Sequence, residues 1–364
     1  MSKSIILTRK VQIVIDSKDD TFLKETYATL YHWQRMCCKA ANYIFTHCYL
    51  QEQVKEFFYL TENVHVKLTD IRKDENGILT TSRTNSTYQV LSRHFKGTMP
   101  MSILSCLNNS LVSLYRKERL DYFKGLRSLR NYKRDIPIPV AASDIRHFRQ
   151  LQAHGNFGFV LFGIPFRTYL GSDFHDKRLL LEKLVAKDIK LCTSNIQLSK
   201  GKIYLLVAFE QQPEHHSLLP DIIAEASLSL EIPIVVKVQK SRYYIGNKEE
   251  FLHRRLAIQA AIERTKKGAA FNRSGKGRKR KLKSIEKYKD AEINYINQRL
   301  HVYSRRLIDL CIKHQAATLL LTNDKEAQEE QKGDGFLLRN WSYSNLKEKI
   351  GYKAKKAGIA VIEE

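Results

Sequence analysis

Residues 342–362 read SYSNLKEKIGYKAKKAGIAVI. Leu346, Ile350, Ala354 and Ala357 recur at steps of four and three, the spacing of one apolar helix face. Ser342 or Ser344 supplies a side-chain oxygen for the N-cap, and Gly358 suits the left-handed residue that ends a helix. An apolar run, Ile359–Ile362, follows at once, and Thr318–Leu321 upstream is a second short buried run. Strand, helix and strand in that order predict parallel pairing in an α/β sheet.

Moving towards the N-terminus, Leu228–Val238 is an apolar strand run, and Ser241–Asn247 (SRYYIGN) returns beside it through a tight turn. A helix from Glu249 leads into residues 264–283, RTKKGAAFNRSGKGRKRKLK, with ten basic residues and no acidic one. That excess goes far beyond a solvated helix face. Gly268, Gly275 and Gly277 interrupt the stretch and predict a flexible cationic strap rather than one continuous helix. A long helix follows, with Ile296, Leu300, Tyr303, Leu307 and Leu310 on one face. The loop after Leu321, NDKEAQEEQKGDG, is acidic. It reads as a solvated loop or as a dock for a basic partner.

The first half differs. Ile5–Ile15 reads as a strand, and Asp19 or Asp20 caps a long helix carrying Leu23, Tyr27, Leu30, Cys37, Ala41, Ile44 and Cys48 on one face. Trp33 falls off that face and is either packing or a base-stacking ring. Thr61–Ser86, with Asn76-Gly77, is a turn or long loop. Pro100 precedes a second helix through Leu104, Leu107, Leu111 and Leu114. It ends in a basic, aromatic segment with Arg116, Lys117, Arg119, Tyr122, Lys124, Arg127 and Arg130. Such interleaving suits phosphate contact, and equally suits cations snorkelling beside core aromatics. Ile136–Val140 (IPIPV) excludes helix interior, and Phe157–Ile164, Ile189–Leu198 and Ile203–Phe209 read as strands. With the first strand these predict a small antiparallel barrel or sandwich. Gln211–Pro220 reads as a linker, with His215-His216 as loop polarity rather than a metal site.

Bulk composition narrows the partners. The 364 residues exceed what one core usually organises, and 43% are hydrophobic, so several packed domains are expected. Lys and Arg number 62 against 38 Asp and Glu, a net charge of +24, which points to a polyanion. Nucleic acid leads, with an anionic membrane surface as the rival. The six cysteines include no C-x-x-C pair, which excludes a zinc ribbon or thioredoxin-type site and suits reduced, buried thiols. Neither a signal peptide nor a span-length apolar run is evident, and GxGxxG and GxxxxGK[ST] are absent, so a cytoplasmic protein with no membrane partner and no nucleotide-binding loop is expected.

Three groups of residues resemble a known family. Asn340-Trp341-Ser342-Tyr343 with Leu346, Ile350, Tyr352-Lys353-Ala354 and Ala357-Gly358-Ile359 resembles the end of RuvC-like domains in miniature type V-F CRISPR effectors, RNA-guided nucleases related to transposon-encoded TnpB proteins. Tyr132-Lys133-Arg134-Asp135-Ile136-Pro137 resembles that family's entry into its wedge domain. The strap followed by Ser284-Ile285-Glu286, Tyr303-Ser304-Arg305 and Ile312-Lys313 matches in order. The resemblance implies an α+β multidomain chain: a first wedge strand at 1–18, a helical recognition insert at 19–130 and a β-barrel wedge domain at 131–220. Residues 221–364 then form a degenerate RNase H-like (RuvC-like) domain bearing the strap at 264–283, without the zinc ribbon and last catalytic segment that would follow Glu364.

Cutting in that family resembles RNase H chemistry, with carboxylates from separate strands holding two metal ions. The resemblance puts its first aspartate on Ser229 and its glutamate on Thr322, with the third beyond Glu364. Glu231 and Asp324 lie two residues further along, about 6.6 Å too far to hold the same ions. The expectation is therefore no enzyme activity, no catalytic Mg²⁺ and no zinc. The residues expected at nucleic acid are Arg264, Lys266, Lys267, Arg273, Lys276, Arg278, Lys279, Arg280, Lys281 and Lys283, then Arg116, Lys117, Arg119, Lys124, Arg127 and Arg130, then Tyr132, Lys133 and Arg134. The implied partners are a guide RNA, target double-stranded DNA, a second copy on one guide, and sigma factor and RNA polymerase where transcription is controlled. Two alternatives stand beside this: a divergent nuclease using Glu231, Asp324 and Glu326, and a guide-independent RNA- or DNA-binding protein.

Overall fold

The structure is a computed structural model that describes residues 4–58, 82–151, 156–171, 175–229, 232–272, 274–323 and 343–363. Asn76-Gly77, the Asn340-Trp341-Ser342 part of the motif, Glu231, Arg273, the acidic stretch 324–334 and the side chain of Lys281 lie outside them. The chain divides into two compact units: Ile6–Gln211, and Gln212–Glu364 with Met1–Ile5. The architecture is α+β, with helices and sheets in both.

The Ile6–Gln211 unit runs β1 (Ile5–Ile15), α1 (Asp20–Phe58), α2 (Arg83–Phe95), α3 (Met101–Phe123), β2 (Ile138–Val140), β3 (Ile145–Gln150), β4 (Phe157–Leu161), β5 (Ile164–Tyr169), α4 (His175–Val185), β6 (Lys190–Leu191), β7 (Ser194–Ser199) and β8 (Lys202–Gln211). Its sheet has the order β2-β7-β8-β1-β5-β4-β3, with β6 on β8. As expected, the first strand joins strands far along the chain. It sits mid-sheet, and Val11, Ile13 and Ile15 are buried at alternate positions. The barrel is not closed by hydrogen bonds among the described residues. Pro139 in β2 has no N–H to give a second neighbour, which suits an edge. The run expected over Phe157–Ile164 is broken at Phe162-Gly163, both at positive φ, the two-residue hairpin that joins β4 to β5.

Asp19 caps α1, its Oδ1 accepting from the Thr21 amide at 2.9 Å. Leu30, Cys37, Ala41, Ile44 and Cys48 are fully buried along the face read from the sequence. Burial pushes the Cys37 thiol up to about 12, the state of an inert core residue. Trp33 stands edge-on to Phe162, ring centroids 5.4 Å apart, so of its two readings packing is the one realised.

The second unit runs β9 (Leu219–Leu228), β10 (Ile234–Val238), β11 (Ser241–Ile245), α5 (Lys248–Ala270), α6 (Gly275–Lys313), β12 (Ala316–Asn323), α7 (Tyr343–Lys356) and β13 (Ala360–Glu363). The sheet order is β11-β10-β9-β12-β13. The first three strands are antiparallel, and β12 is parallel to both β9 and β13, the pairing expected of the strand–helix–strand unit. Gly358 ends α7 at φ +76°, with the Ile359 amide donating to Ala354 O at 2.9 Å and the Gly358 amide to Lys355 O at 3.3 Å. Gly246, at φ +88°, has no room for a Cβ, which would lie 2.8 Å from Pro233 and 2.9 Å from Tyr303.

Three expectations are corrected here. Leu228–Val238 is not one strand: β9 ends at Leu228, and the Ser229 hydroxyl closes the turn on the backbone of Ile232 ahead of Pro233. The linker at Gln211–Pro220 is held in place, since the Glu214 amide donates to Lys356 O at 2.8 Å and Leu219-Pro220 already belong to β9. The strap is helical almost throughout. Gly268 lies within α5 and Gly275 and Gly277 in the first turn of α6, where the Ser274 hydroxyl accepts from the Gly277 amide at 3.1 Å. Ile262, Ala269 and Ile285 are buried, as is the Arg255–Glu292 pair at 2.9 Å between the two helices. That packing outweighs the roughly 1 kcal/mol a glycine costs a helix.

Lys353 of α7 is buried, its ammonium donating to His301 O at 2.5 Å and to Ser304 Oγ at 2.8 Å in α6. Burial, then the charge of Arg305, pushes it down to about 8 from an ordinary 10.5. Between those values the unfolded chain binds the extra proton, so this group makes stability rise with pH from about 8 to 10.5. Lys353→Met is expected to remove that rise from urea-unfolding midpoints taken across the window. A rise of undiminished size would assign it to another group.

Candidate nucleic-acid interface

Ser229 and Thr322 are brought together by the second sheet. In the parallel pair β9–β12, Thr322 lies opposite Ser227 and Asn323 opposite Leu228, so Ser229 follows directly at the same strand ends. Both side chains are neutral hydroxyls turned to the backbone. Ser229 Oγ donates to Ile232 O at 2.9 Å and accepts from its amide at 3.3 Å, and Thr322 Oγ1 donates to Ala226 O at 3.5 Å. A two-ion site needs several anionic oxygens aimed at one point, and these two residues do not fit it. Among the described residues no group of three or more His, Cys, Asp or Glu side chains is placed to hold a metal ion.

The same unit carries the densest charge. Arg264, Lys266 and Lys267 close α5, and Lys276, Arg278, Lys279, Arg280 and Lys283 open α6, all exposed. None of these eight forms an ion pair among the described residues. The antiparallel packing of α5 on α6 brings two sequence clusters to the same end of one helical hairpin. Their charges therefore sum into one field rather than two.

In the other unit the motif Tyr132–Pro137 is bound to α1 through its backbone. Asn42 acts as one rung of a ladder, accepting from the Tyr132 amide at 2.7 Å and donating to Tyr132 O at 3.0 Å. Cys38 Sγ also donates to Tyr132 O, at 3.3 Å, and Gln34 donates to Ile136 O at 3.2 Å. The Tyr132 ring lies edge-on to Phe45 at 5.4 Å, and burial pushes its phenol up to about 12. Tyr132 thus anchors the segment, while Lys133 and Arg134 stay exposed. Arg134 lines a cavity of about 360 Å³ with His32, Arg35, Met36, Cys38 and Lys39. Arg35 and Lys39 were not among the residues expected from sequence. The spacing of 32, 35, 36 and 39 on the polar side of α1 held the signal.

The basic segment at the end of α3 divides. Lys117 and Lys124 are exposed on the helix and just past its end. Arg119 approaches Glu52 at 3.8 Å. Arg127 and Arg130 both turn back to Glu118, Arg130 Nε at 2.6 Å, and Tyr122 Oη donates to the same carboxylate at 2.5 Å. Arg130, above all, holds Glu118 down to about 2. The sequence left phosphate contact and structural use equally open for these arginines, and two of them serve an internal carboxylate. Because the folded value lies below the ordinary 4.5, this stabilisation is complete above 4.5 and is lost as pH falls towards 2. Glu118→Gln is expected to cost about 2 kcal/mol, the scale of a charged hydrogen bond. For a unit of this size that lowers the melting midpoint by about 4–8 °C. A shift below one degree would mean the cluster is decorative.

No family model matches the chain. Over 269 residues it is 28% identical to the CRISPR-associated endodeoxyribonuclease Cas12f1 of Sulfoacidibacillus thermotolerans, covering 68% of this chain and 61% of that protein. Over 206 residues it is 29% identical to the Cas12f1 of Syntrophomonas palmitatica, covering 51% of this chain and 39% of that one. It therefore spans less than two thirds of either relative's length. Among solved structures, the protein in a cryo-EM structure of a Cas12f1–sgRNA–target DNA complex shares its fold. The TM-score is 0.65 at 16% identity, over 99% of this chain and 89% of that one. The chain is a homologue of the Cas12f1 proteins, and thus a relative of the miniature type V-F CRISPR effectors.

Proposed function

We propose that this chain is an RNA-guided DNA-binding protein that holds its target through guide pairing without cutting it and so regulates transcription. The observation that carries the reading is the pair of neutral, backbone-bonded hydroxyls, Ser229 and Thr322, at the ends of adjacent parallel strands. The sheet order supports assigning the Gln212–Glu364 unit as a degenerate RuvC-like domain, with α1–α3 as the recognition insert and β1–β8 as the wedge. The cations of the α5–α6 hairpin, with Lys133 and Arg134, carry the guide and heteroduplex by shape and backbone charge. An uncut R-loop at a promoter blocks RNA polymerase, or recruits it if the chain also binds a sigma factor. A second copy on the same guide completes the proposed assembly.

The test is to purify the chain from its host and sequence the RNA that accompanies it. One abundant small RNA with a structured scaffold and a segment matching genomic DNA is the expected result. A diffuse mixture of cellular RNAs would overturn guidance and leave an electrostatic clamp. A second reading, a divergent nuclease using Glu231, Asp324 and Glu326, is favoured by the curated relatives' description as endodeoxyribonucleases.

A further inference from the structure

The α5–α6 hairpin is an arm. Phe251 in α5 and Ile296 in α6 are the outermost hairpin residues that belong to the sheet's apolar core. Phe271 lies twenty residues beyond Phe251 along α5, and at 1.5 Å per step the tip stands about 30 Å from Phe251. Beyond them the buried apolar residues Ile262, Ala269 and Ile285 are not part of that core. The tip therefore lies outside the core of its own unit.

At this tip sits Phe271, the C-cap of α5. It is 86% exposed, the most exposed large apolar side chain among the described residues. Among the described residues it makes no ring or cation contact. Before it in the chain come Lys266 and Lys267 in the last turns of α5, and after it Lys276 and Lys279 in the first turns of α6, all exposed. A solvent-exposed aromatic ring costs solvation free energy, and exposed cations on the two helices it joins would discourage an apolar protein partner. Those two features together suit one kind of ligand, with flat apolar faces joined by anionic links.

We infer that Phe271 is a stacking platform for an unpaired nucleobase, with the phosphates on either side of that base held by Lys266 and Lys267 of α5 and Lys276 and Lys279 of α6. This rests on the nucleic-acid reading above and adds a strand state to it. In a duplex both faces of each base are covered by its neighbours, so only a single-stranded or splayed segment offers a face to the ring. Every base has such a face, so the contact is tolerant of sequence. The arm then serves a strand left unpaired, whether displaced DNA or a loop of the RNA.

The test uses the full chain, a fluorescein-labelled 15-nucleotide oligothymidine and a 20-base-pair DNA duplex at one salt concentration. Phe271→Ala is expected to weaken oligothymidine binding about tenfold, within the range of roughly 5- to 160-fold set by base–aromatic stacking. Duplex affinity, carried by the cations, should change less than twofold. Phe271→Trp should keep single-strand affinity, and its emission should be quenched by oligothymidine beyond any change in the wild type, whose Trp33 and Trp341 are the background. Unchanged single-strand affinity of Phe271→Ala, or an equal loss on both probes, overturns the inference. So does Trp emission that responds to phosphatidylserine vesicles and not to oligothymidine. Failure of the wild type to bind either nucleic acid would overturn the parent reading as well, and that result is distinct from the other three.

Discussion

Replacing Lys266, Lys267, Lys276, Arg278, Lys279 and Arg280 together by Gln is expected to reduce nucleic-acid affinity by about 10³- to 10⁴-fold at about 0.15 M salt. The size follows from counterion release. Each phosphate neutralised contributes roughly 0.7–0.9 to the slope of log K against log salt, so losing six contacts flattens that slope by about 4–5. The fold should survive, because all six side chains are exposed and Gln is nearly as good a helix former as Lys or Arg. Anisotropy titrations of wild type and variant at several salt concentrations measure both quantities. A variant whose affinity drops but whose slope is unchanged has lost structure rather than phosphate contacts. A variant with neither change moves the binding surface elsewhere, and Arg35, Lys39 and Arg134 around the α1 cavity are then the set to neutralise.

Matched DNA is expected to stay intact when the guided complex is given Mg²⁺ or Mn²⁺, while a complete R-loop forms. Two-ion cleavage depends on anionic oxygens that fix both ions on the scissile phosphate. At the strand ends that the proposed reading assigns to those oxygens, the hydroxyls of Ser229 and Thr322 are engaged with Ile232 and Ala226. Cutting should therefore not exceed that of DNA without protein, and Glu231→Ala should change nothing. The R-loop itself should be sensitive to mismatches beside the flanking motif, where pairing begins, and tolerant of distal ones. A single metal-dependent cut abolished by Glu231→Ala would establish the divergent nuclease instead. Because binding and cutting are read separately, an inactive guide cannot be mistaken for an inactive site.

Much of the second unit was legible in the chain. The i, i+4 apolar face of Leu346, Ile350 and Ala354, the stop at Gly358 and the short run after it specify α7, its cap and β13 through local chemistry alone. The same holds for α1, where Asp19 and the Leu30–Cys48 face are written in neighbouring residues. Charge is equally local, and the count of Lys and Arg pointed to a polyanion before any fold was known.

What the chain could not disclose depends on residues far apart in it. Gly268, Gly275 and Gly277 argue for a flexible strap when weighed singly, yet the buried Arg255–Glu292 pair and the Ile262–Ile285 seam hold two helices there. Arg127 and Arg130 look like phosphate ligands until Glu118 is seen to claim them. Tyr132 looks like part of a binding motif until Asn42, ninety positions away, is found gripping its backbone. Ser229 acquires meaning only beside Thr322, and Phe271 only at the end of an arm. Composition and short-range spacing set most of the helices and strands and the excess of positive charge, because propensity, capping and composition need no tertiary contact. The tertiary structure alone decided which cations are spent on a carboxylate of the fold, because pairing is settled by whatever the fold brings into contact.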